Sequence, residues 1–187
     1  LGLTDDRPVV LSFWGSLGAS VMNREMLDFM ACWREEDMPF HHIHGAGRDY
    51  ETMRQGLSGR GLDPKDFDLR QYIYDMPTVM AAADLVLCRA GASTLSELTA
   101  TGKPAILVPS PNVTANHQFK NAKVLSDRGG ALLVEEKDCS GQKLYGMVQD
   151  LLADGAGRDR MSQAQLSLAV PTAAEDIYQA LMKRMGH

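Results

Sequence analysis

The sequence predicts an α/β fold: a doubly wound, mostly parallel sheet of about six strands, with helices on both faces. Two observations carry this. Short apolar runs of strand length alternate with helical patterns along the whole chain, and the connections between them are short and marked by Gly, Pro or Asn. That alternation builds βαβ units, and right-handed crossovers then put helices on both sides of a parallel sheet. No internal repeat, low-complexity tract or linker interrupts the pattern, so one domain spans residues 1–187.

The elements follow in order. Pro8 to Phe13 is the first strand, and Gly15-Ser16-Leu17-Gly18 turns the chain. From Val21 to Trp33 the residues Met22, Met26, Phe29, Met30 and Trp33 recur at helical spacing, which makes them one buried face,; methionines at that spacing fill a core. Phe40 to His44 is the second strand. A polar loop with Gly45 and Gly47 leads to a helix near Tyr50–Leu57, broken by Gly56, Gly59, Gly61 and Pro64,. A third strand covers about Asp68 to Ile73, and Pro77 belongs in the first turn of a helix running through Ala83. Leu85 to Cys88 is the fourth strand. Thr94, with Glu97 three residues on, has the form of a capping box that opens a helix to Thr101, and Gly102 ends it. Ala105 to Val108 is the fifth strand, Asn116 to Ser126 a helix, Ala131 to Val134 a sixth strand and Gln142 to Ala153 another helix. Pro171, Thr172 and Glu175 open a terminal helix through Met185.

Composition narrows the function. With 187 residues, 44% of them hydrophobic, the chain is long enough to bury a core without disulfides or metals,. A net charge of -5 disfavours wholesale nucleic-acid binding, which needs a basic surface,. Cys32, Cys88 and Cys139 are too few and too scattered for a disulfide framework or a CxxC metal site, which fits a reducing cytoplasm,. No apolar run approaches the roughly 20 residues that span a bilayer. The chain starts at Leu1, so it reads as a piece of something longer.

In such sheets ligands bind beyond the carboxyl ends of the strands. The loops there hold Gly15, Ser16 and Gly18 after the first strand, Tyr72 through Met76 after the third, Arg89 through Thr94 with Glu97 after the fourth, and Pro109 through Gln118 with Asn121 after the fifth. Glycines admit close backbone approach, and helix N-termini offer free N–H groups to a phosphate. A carboxylate such as Glu97 accepts two hydroxyl hydrogen bonds and suits a ribose diol; it equally completes the Thr94 capping box. His117, Gln118 and Asn121 suit sugar hydroxyls or an acetamido group, though an Asn on a helix face is commonly just solvated. Gly15 and Gly18 by themselves make only a tight turn. What adds weight is that such residues follow successive strands.

The stretch Cys88-Arg89-Ala90-Gly91-Ala92-Ser93-Thr94-Leu95-Ser96-Glu97-Leu98, followed by Gly102-Lys103-Pro104-Ala105, resembles the donor-binding half of the MurG-type glycosyltransferases. Gly15-Ser16-Leu17-Gly18-Ala19, Tyr72-Ile73-Tyr74-Asp75-Met76 and His117-Gln118 with Asn121-Ala122 agree in the same order. The resemblance implies a Rossmann-like half of a two-domain GT-B fold. UDP-N-acetylglucosamine would be the substrate and no cofactor or metal would be required. Ser16 and the Gly15–Gly18 turn would meet the diphosphate, the Ile73 backbone the uracil, and Ser93 and Thr94 the phosphates. Glu97 would take the ribose, and His117, Gln118 and Asn121 the N-acetylglucosamine. It further implies inverting transfer to the 4-hydroxyl of a polyprenyl-linked muramoyl-pentapeptide in peptidoglycan synthesis. The catalytic base and acceptor site would lie in an N-terminal domain outside this chain, so no residue here is assigned a catalytic role and this piece alone would bind donor without turnover. The full-length enzyme would sit on the cytoplasmic face of the cell membrane. Trp14, Tyr74, Ser93 and Val113-Thr114-Ala115 depart from the family pattern.

Other patterns carry less. Asp66-Phe67-Asp68 has the form of a DxD metal motif but precedes a strand, at the wrong end of the sheet. His42 and His44 share a strand face while His41 points away, so a metal would need further ligands; His44-Gly45 reads as part of a crevice loop. Gly102-Lys103-Pro104 lacks the spacing of a P-loop, and the first turn lacks the dinucleotide GxGxxG. The alternatives to a donor domain are a non-catalytic donor-binding subunit of a two-subunit lipid-linked N-acetylglucosaminyltransferase and an enzyme resembling the UDP-N-acetylglucosamine epimerases.

Overall fold

The computed structural model describes residues 1–3, 5–15 and 18–185. Its six strands are β1 (Val9–Phe13), β2 (His41–Gly45), β3 (Asp68–Arg70), β4 (Leu85–Cys88), β5 (Ala105–Leu107) and β6 (Ala131–Leu133). They form one sheet in the order β3-β2-β1-β4-β5-β6, with every pairing parallel. The helices are α1 (Ser20–Glu35), α2 (Tyr50–Gly59), α3 (Met76–Ala82), α4 (Ala92–Thr101), α5 (His117–Asp127), α6 (Gly141–Ala153), α7 (Gly155–Leu166) and α8 (Ala173–Met185). The order in which successive strands are added across the sheet reverses between β1 and β4, so their carboxyl ends form the switch point where open α/β sheets take ligands,.

Alternate strand residues feed two cores. On one face Val10, Leu87, Ile106 and Val108 meet α1, α2 and α6; on the other Leu11, Val86, Ala105 and Leu107 meet α3, α4 and α5. The predicted α1 stripe is this first core: Met22, Met26, Phe29, Met30 and Trp33 are all buried, each contributing about 1.5–3 kcal/mol by leaving water. The Trp33 indole N–H donates to the Phe40 carbonyl at 2.8 Å, so its burial leaves no orphan donor. At the start of α6, Gly141 lets two helices touch backbone to backbone: a Cβ there would stand 2.1 Å from the Glu25 carbonyl oxygen of α1.

Four expectations change. The third strand stops at Arg70, three residues before Ile73, because its only neighbour ends there: Arg70 pairs with Gly45, the last residue of β2. The helix α7 was not foreseen. Gly155 and Gly157 occupy its first turn and only Met161 and Gln165 are buried, so it has no apolar stripe. Polar groups hold it instead: Asp154 accepts from the Gly157 N–H, and Gln165 Nε2 donates to the Lys103 and Gly130 carbonyls at 2.6 Å each. The capping box is overturned as well. Gly91 is the N-cap of α4, without a side-chain bond, and Thr94 is the third residue inside the helix. Last, His44 is not a crevice residue. It is fully buried within β2, bonded to Ser12 and Asn23, while Gly45 alone reaches the crevice.

Candidate nucleotide-binding crevice

A crevice of about 330 Å³ opens at the carboxyl ends of β1 to β4. Phe13 and Gly15 border it from β1, Gly45 and Gly47 from β2, Gln71, Tyr72, Ile73 and Met76 from the connection after β3, and Ser93, Thr94 and Glu97 from α4.

Each wall has a local cause. Gly15 (φ 90°) and Gly18 (φ 74°) both adopt the left-handed backbone open to glycine, and the Gly18 N–H donates to the Gly15 carbonyl at 3.1 Å,. Gly18 also lies against the β2–α2 connection, where a Cβ would come 2.5 Å from the Ala46 carbonyl oxygen. Ser16 lies outside the described residues. On the opposite wall Ile73 is buried, and Gly45 makes room for it: a Cβ at Gly45 would stand 3.1 Å from Ile73 Cδ1. With its side chain in the core, Ile73 has only its peptide groups to offer a polar ligand.

The third wall is the start of α4. The first turn of any helix leaves its N–H groups without intrahelical acceptors. Here no side chain caps them, and the first intrahelical bond runs from the Leu95 N–H to the Gly91 carbonyl at 3.0 Å. The N–H groups of Ala92, Ser93 and Thr94 are thus open at the lip, at the positive end of the helix dipole. Glu97 stands one turn further on, exposed, and its carboxylate takes part in none of the hydrogen bonds or ion pairs among the described residues. Its charge is also felt in the core: burial chiefly, and then Glu97, push the Cys88 thiol up, so Cys88 is an inert buried thiol,.

The remaining predicted residues stand along the neighbouring rim. Gln118 Oε1 accepts from the Ser110 N–H at 2.9 Å, which leaves its NH₂ group as the free end. Ser110 lines a second crevice of about 360 Å³ beyond β5 and β6, with Pro109, Asn116, Phe119 and Glu135. His117 Nδ1 is 3.0 Å from the Thr114 carbonyl, so it carries the proton and Nε2 is the acceptor of the neutral ring,. Ala115 and Asn116, just before α5, both have positive φ (54° and 52°), a conformation L-residues rarely hold,. Asn121 Nδ2 faces the Ala90 carbonyl at 3.5 Å and borders a groove with Leu95, Val124 and Leu168.

The structure therefore brings Gly15, Ile73, Ser93, Thr94 and Glu97 to one crevice, with Gly18 closing the turn at its edge. It places His117, Gln118 and Asn121 outside that crevice. Gly45 lines it too, as the reading of His44-Gly45 as a crevice loop expects, whereas Phe13, Gly47 and Gln71 line it without having been expected to. Gly47 carried a signal, as a second glycine after a strand; Gln71 did not, because the expected third strand runs over it.

The discounted metal patterns are taken up by other partners. Asp66 pairs with Arg34 at 3.6 Å and Asp68 with Arg70 at 2.7 Å. His42 and His44 both bond to Ser12, and His41 reaches Asp5. Among the described residues no three His, Cys, Asp or Glu are grouped to hold a metal ion, and no helix is long and apolar enough to cross a membrane.

The model of the glycosyltransferase family 28 C-terminal domain matches residues 9–177. An Exiguobacterium sibiricum protein named "UDP-N-acetylglucosamine--N-acetylmuramyl-(pentapeptide) pyrophosphoryl-undecaprenol N-acetylglucosamine transferase" is 38% identical over 182 residues, covering 97% of this chain and 48% of the relative. A protein of the same name from Anaeromyxobacter dehalogenans is 42% identical over 179 residues, 94% of this chain and 45% of the relative. The crystal structure of Acinetobacter baumannii MurG superposes with a TM-score of 0.81 at 25% identity, over 95% of this chain and 52% of that one. The chain thus spans about half the length of the curated relatives it matches. Sequence and overall fold agree, and the chain belongs to the glycosyltransferase family 28 C-terminal domains, of the MurG type.

Proposed function

We propose that this domain binds UDP-N-acetylglucosamine as the donor for inverting transfer of the sugar to the 4-hydroxyl of a lipid-linked muramoyl-pentapeptide. The observation that carries the reading is the pairing of an uncapped helix N-terminus with an unengaged carboxylate one turn inside the same helix. The open N–H groups of Ala92 to Thr94 suit a phosphate and Glu97 a ribose diol, on one wall of one crevice. The names of the relatives support the choice of sugar and acceptor. Residues 1–187 act as a single donor-binding unit. The acceptor, the general base and contact with the cytoplasmic face of the membrane belong to an N-terminal domain such as the longer relatives have room for, so this unit alone binds donor without turning it over.

Chemically, the acceptor hydroxyl attacks the anomeric carbon as UDP leaves from the opposite face. Negative charge grows on the diphosphate as that bond breaks. Fixed N–H dipoles at the α4 N-terminus interact more strongly with the leaving diphosphate than with the intact donor, which lowers the barrier.

Calorimetric titration tests the reading. UDP and UDP-N-acetylglucosamine bind and NAD does not; binding of NAD, or no binding of UDP, sinks it. Glu97→Ala weakens UDP binding by about 1–3 kcal/mol, the cost of leaving a hydrogen-bonded diol unpaired. Unchanged affinity in a folded variant removes Glu97 from the site. Gln118→Ala weakens the sugar conjugate and spares UDP, since the free NH₂ of Gln118 lies outside the nucleotide crevice; equal losses for both ligands contradict the sugar-side role.

A further inference from the structure

Arg89 is buried at the sheet rim, yet it does not line the crevice. It follows β4 directly and is 8% exposed. Its Nη1 donates to the Val108 carbonyl, just past β5, at 3.0 Å. Its Nη2 pairs with the part-buried Glu136 carboxylate, past β6. Its guanidinium carbon stands 5.9 Å from the centre of the Trp14 ring, just past β1. One side chain thus meets the ends of four adjacent strands.

Sheet closure does not call for this cation, since the strands are already joined by their ladders, and burying a guanidinium is costly unless it is well paired. Trp14 shows the same bias. Among the described residues its buried indole N–H has no hydrogen-bond partner; packing and the cation beside the ring hold it,. The two ends of this assembly adjoin the two anion-facing walls. Trp14 precedes Gly15 directly, and Arg89 is two residues before the Gly91 N-cap of α4.

We propose that Arg89, locked by Glu136 and Val108 and set against Trp14, is a positioning residue that fixes the distance between the Gly15–Gly18 turn and the α4 N-terminus, and so the fit of the donor diphosphate. This rests on reading the crevice as the UDP site. Planar Arg suits the task because its rigid fork holds two acceptors in one fixed geometry, whereas the ammonium of Lys is a point charge on a flexible stem that fixes no such angle. The nucleoside end depends on it less: Ile73 stands beyond β3, and Glu97 lies a turn inside α4, beside the fully buried Leu98 that anchors the helix.

The test is calorimetric titration of the full chain with uridine and with UDP. Arg89→Lys lowers UDP affinity about tenfold, the scale of a small misplacement of binding groups, and leaves uridine affinity within about twofold, as expected of a distant site. Glu136→Gln, which keeps the shape and loses the charge, moves the UDP-to-uridine ratio the same way by about threefold, and it carries the test if Arg89→Lys does not fold. A purely structural role would weaken both ligands alike, so parallel losses, or a ratio that stays put in a folded variant, overturn the proposal. If the unaltered chain binds no UDP, the donor-site reading falls and takes the proposal with it; if it binds UDP and the ratio does not move, the proposal falls alone.

Discussion

Gly18→Ala destabilises the protein by about 3 kcal/mol and weakens UDP binding. Two costs add. A left-handed backbone at φ 74° costs an L-residue roughly 1–2 kcal/mol,. The new Cβ also falls 2.5 Å from the Ala46 carbonyl oxygen, and forcing extra volume into a packed contact costs about 1–3 kcal/mol,. Ala46 cannot step aside, because its carbonyl accepts from Asn23 Nδ2 at 2.8 Å and its N–H donates to the Arg70 carbonyl at 2.9 Å. The Gly15–Gly18 turn has to move instead, away from where a diphosphate would meet it. Gly15→Ala is the control. Gly15 is also left-handed, at φ 90°, but among the described residues a Cβ there meets nothing within 4 Å, so only the backbone cost of roughly 1–2 kcal/mol remains,. Urea unfolding read at constant m-value gives both numbers. Equal losses for the two variants would show that conformation alone matters and that the approach to Ala46 does not.

What the sequence made legible follows from what is local. The strand Leu85–Cys88 was placed to the residue, since an unbroken apolar run bounded by Asp84 and Arg89 has one reading. The α1 stripe was legible for the same reason: spacing alone puts Met22, Met26, Phe29, Met30 and Trp33 on one face. Gly102 was read correctly as the end of α4, where φ is 63°. The failures lie where another element decides. The end of β3 depends on where β2 stops. The start of α4 depends on Gly91, which has no side chain to announce it, whereas Thr94 and Glu97 mimic a cap. The placement of α7 depends on Gln165 finding two distant carbonyls. In the site, Glu97, Ser93, Thr94 and Ile73 were found because loops after successive parallel strands converge. The division of the rim into two crevices was not, because it depends on how the segments after different strands pack in space.

A buried polar chain beneath the crevice makes the fold acid-labile, and the sequence hid it for the same reason. Asn23 Nδ2 donates to the Ala46 carbonyl and to the Asp49 carboxylate, so Asn23 Oδ1 must accept from His44 Nε2, at 3.1 Å. His44 Nδ1 is then the acceptor of the neutral ring, and the Ser12 hydroxyl donates to it at 2.7 Å. Ser12 Oγ in turn accepts from His42 Nε2 at 2.8 Å. Every proton has one place. Adding one to His44 Nδ1 would leave the Ser12 hydroxyl without its acceptor and a charge in the core. Burial accordingly pushes both imidazoles down to about 3, helped at His44 by its neighbour His42. The unfolded chain protonates its histidines near pH 6.5. Above that pH both states are neutral and the contribution to stability is complete. Between 6.5 and 3 the unfolded state binds more protons, so stability falls as pH falls. The expected loss is about 1 kcal/mol per histidine from pH 6.5 to 5.5, hence about 2 kcal/mol for the pair, and somewhat more over the next unit. Against a total of roughly 5–15 kcal/mol this is a substantial fraction of the stability. Urea midpoints at pH 6.5, 5.5 and 4.5 measure the slope. His42→Phe, facing the rings of Phe29, Phe40 and Trp33, should halve it whatever it does to the stability at neutral pH. A flat slope in the wild type would mean that both imidazoles titrate in the folded protein as they do in water, and an unchanged slope in the variant would mean it of His42.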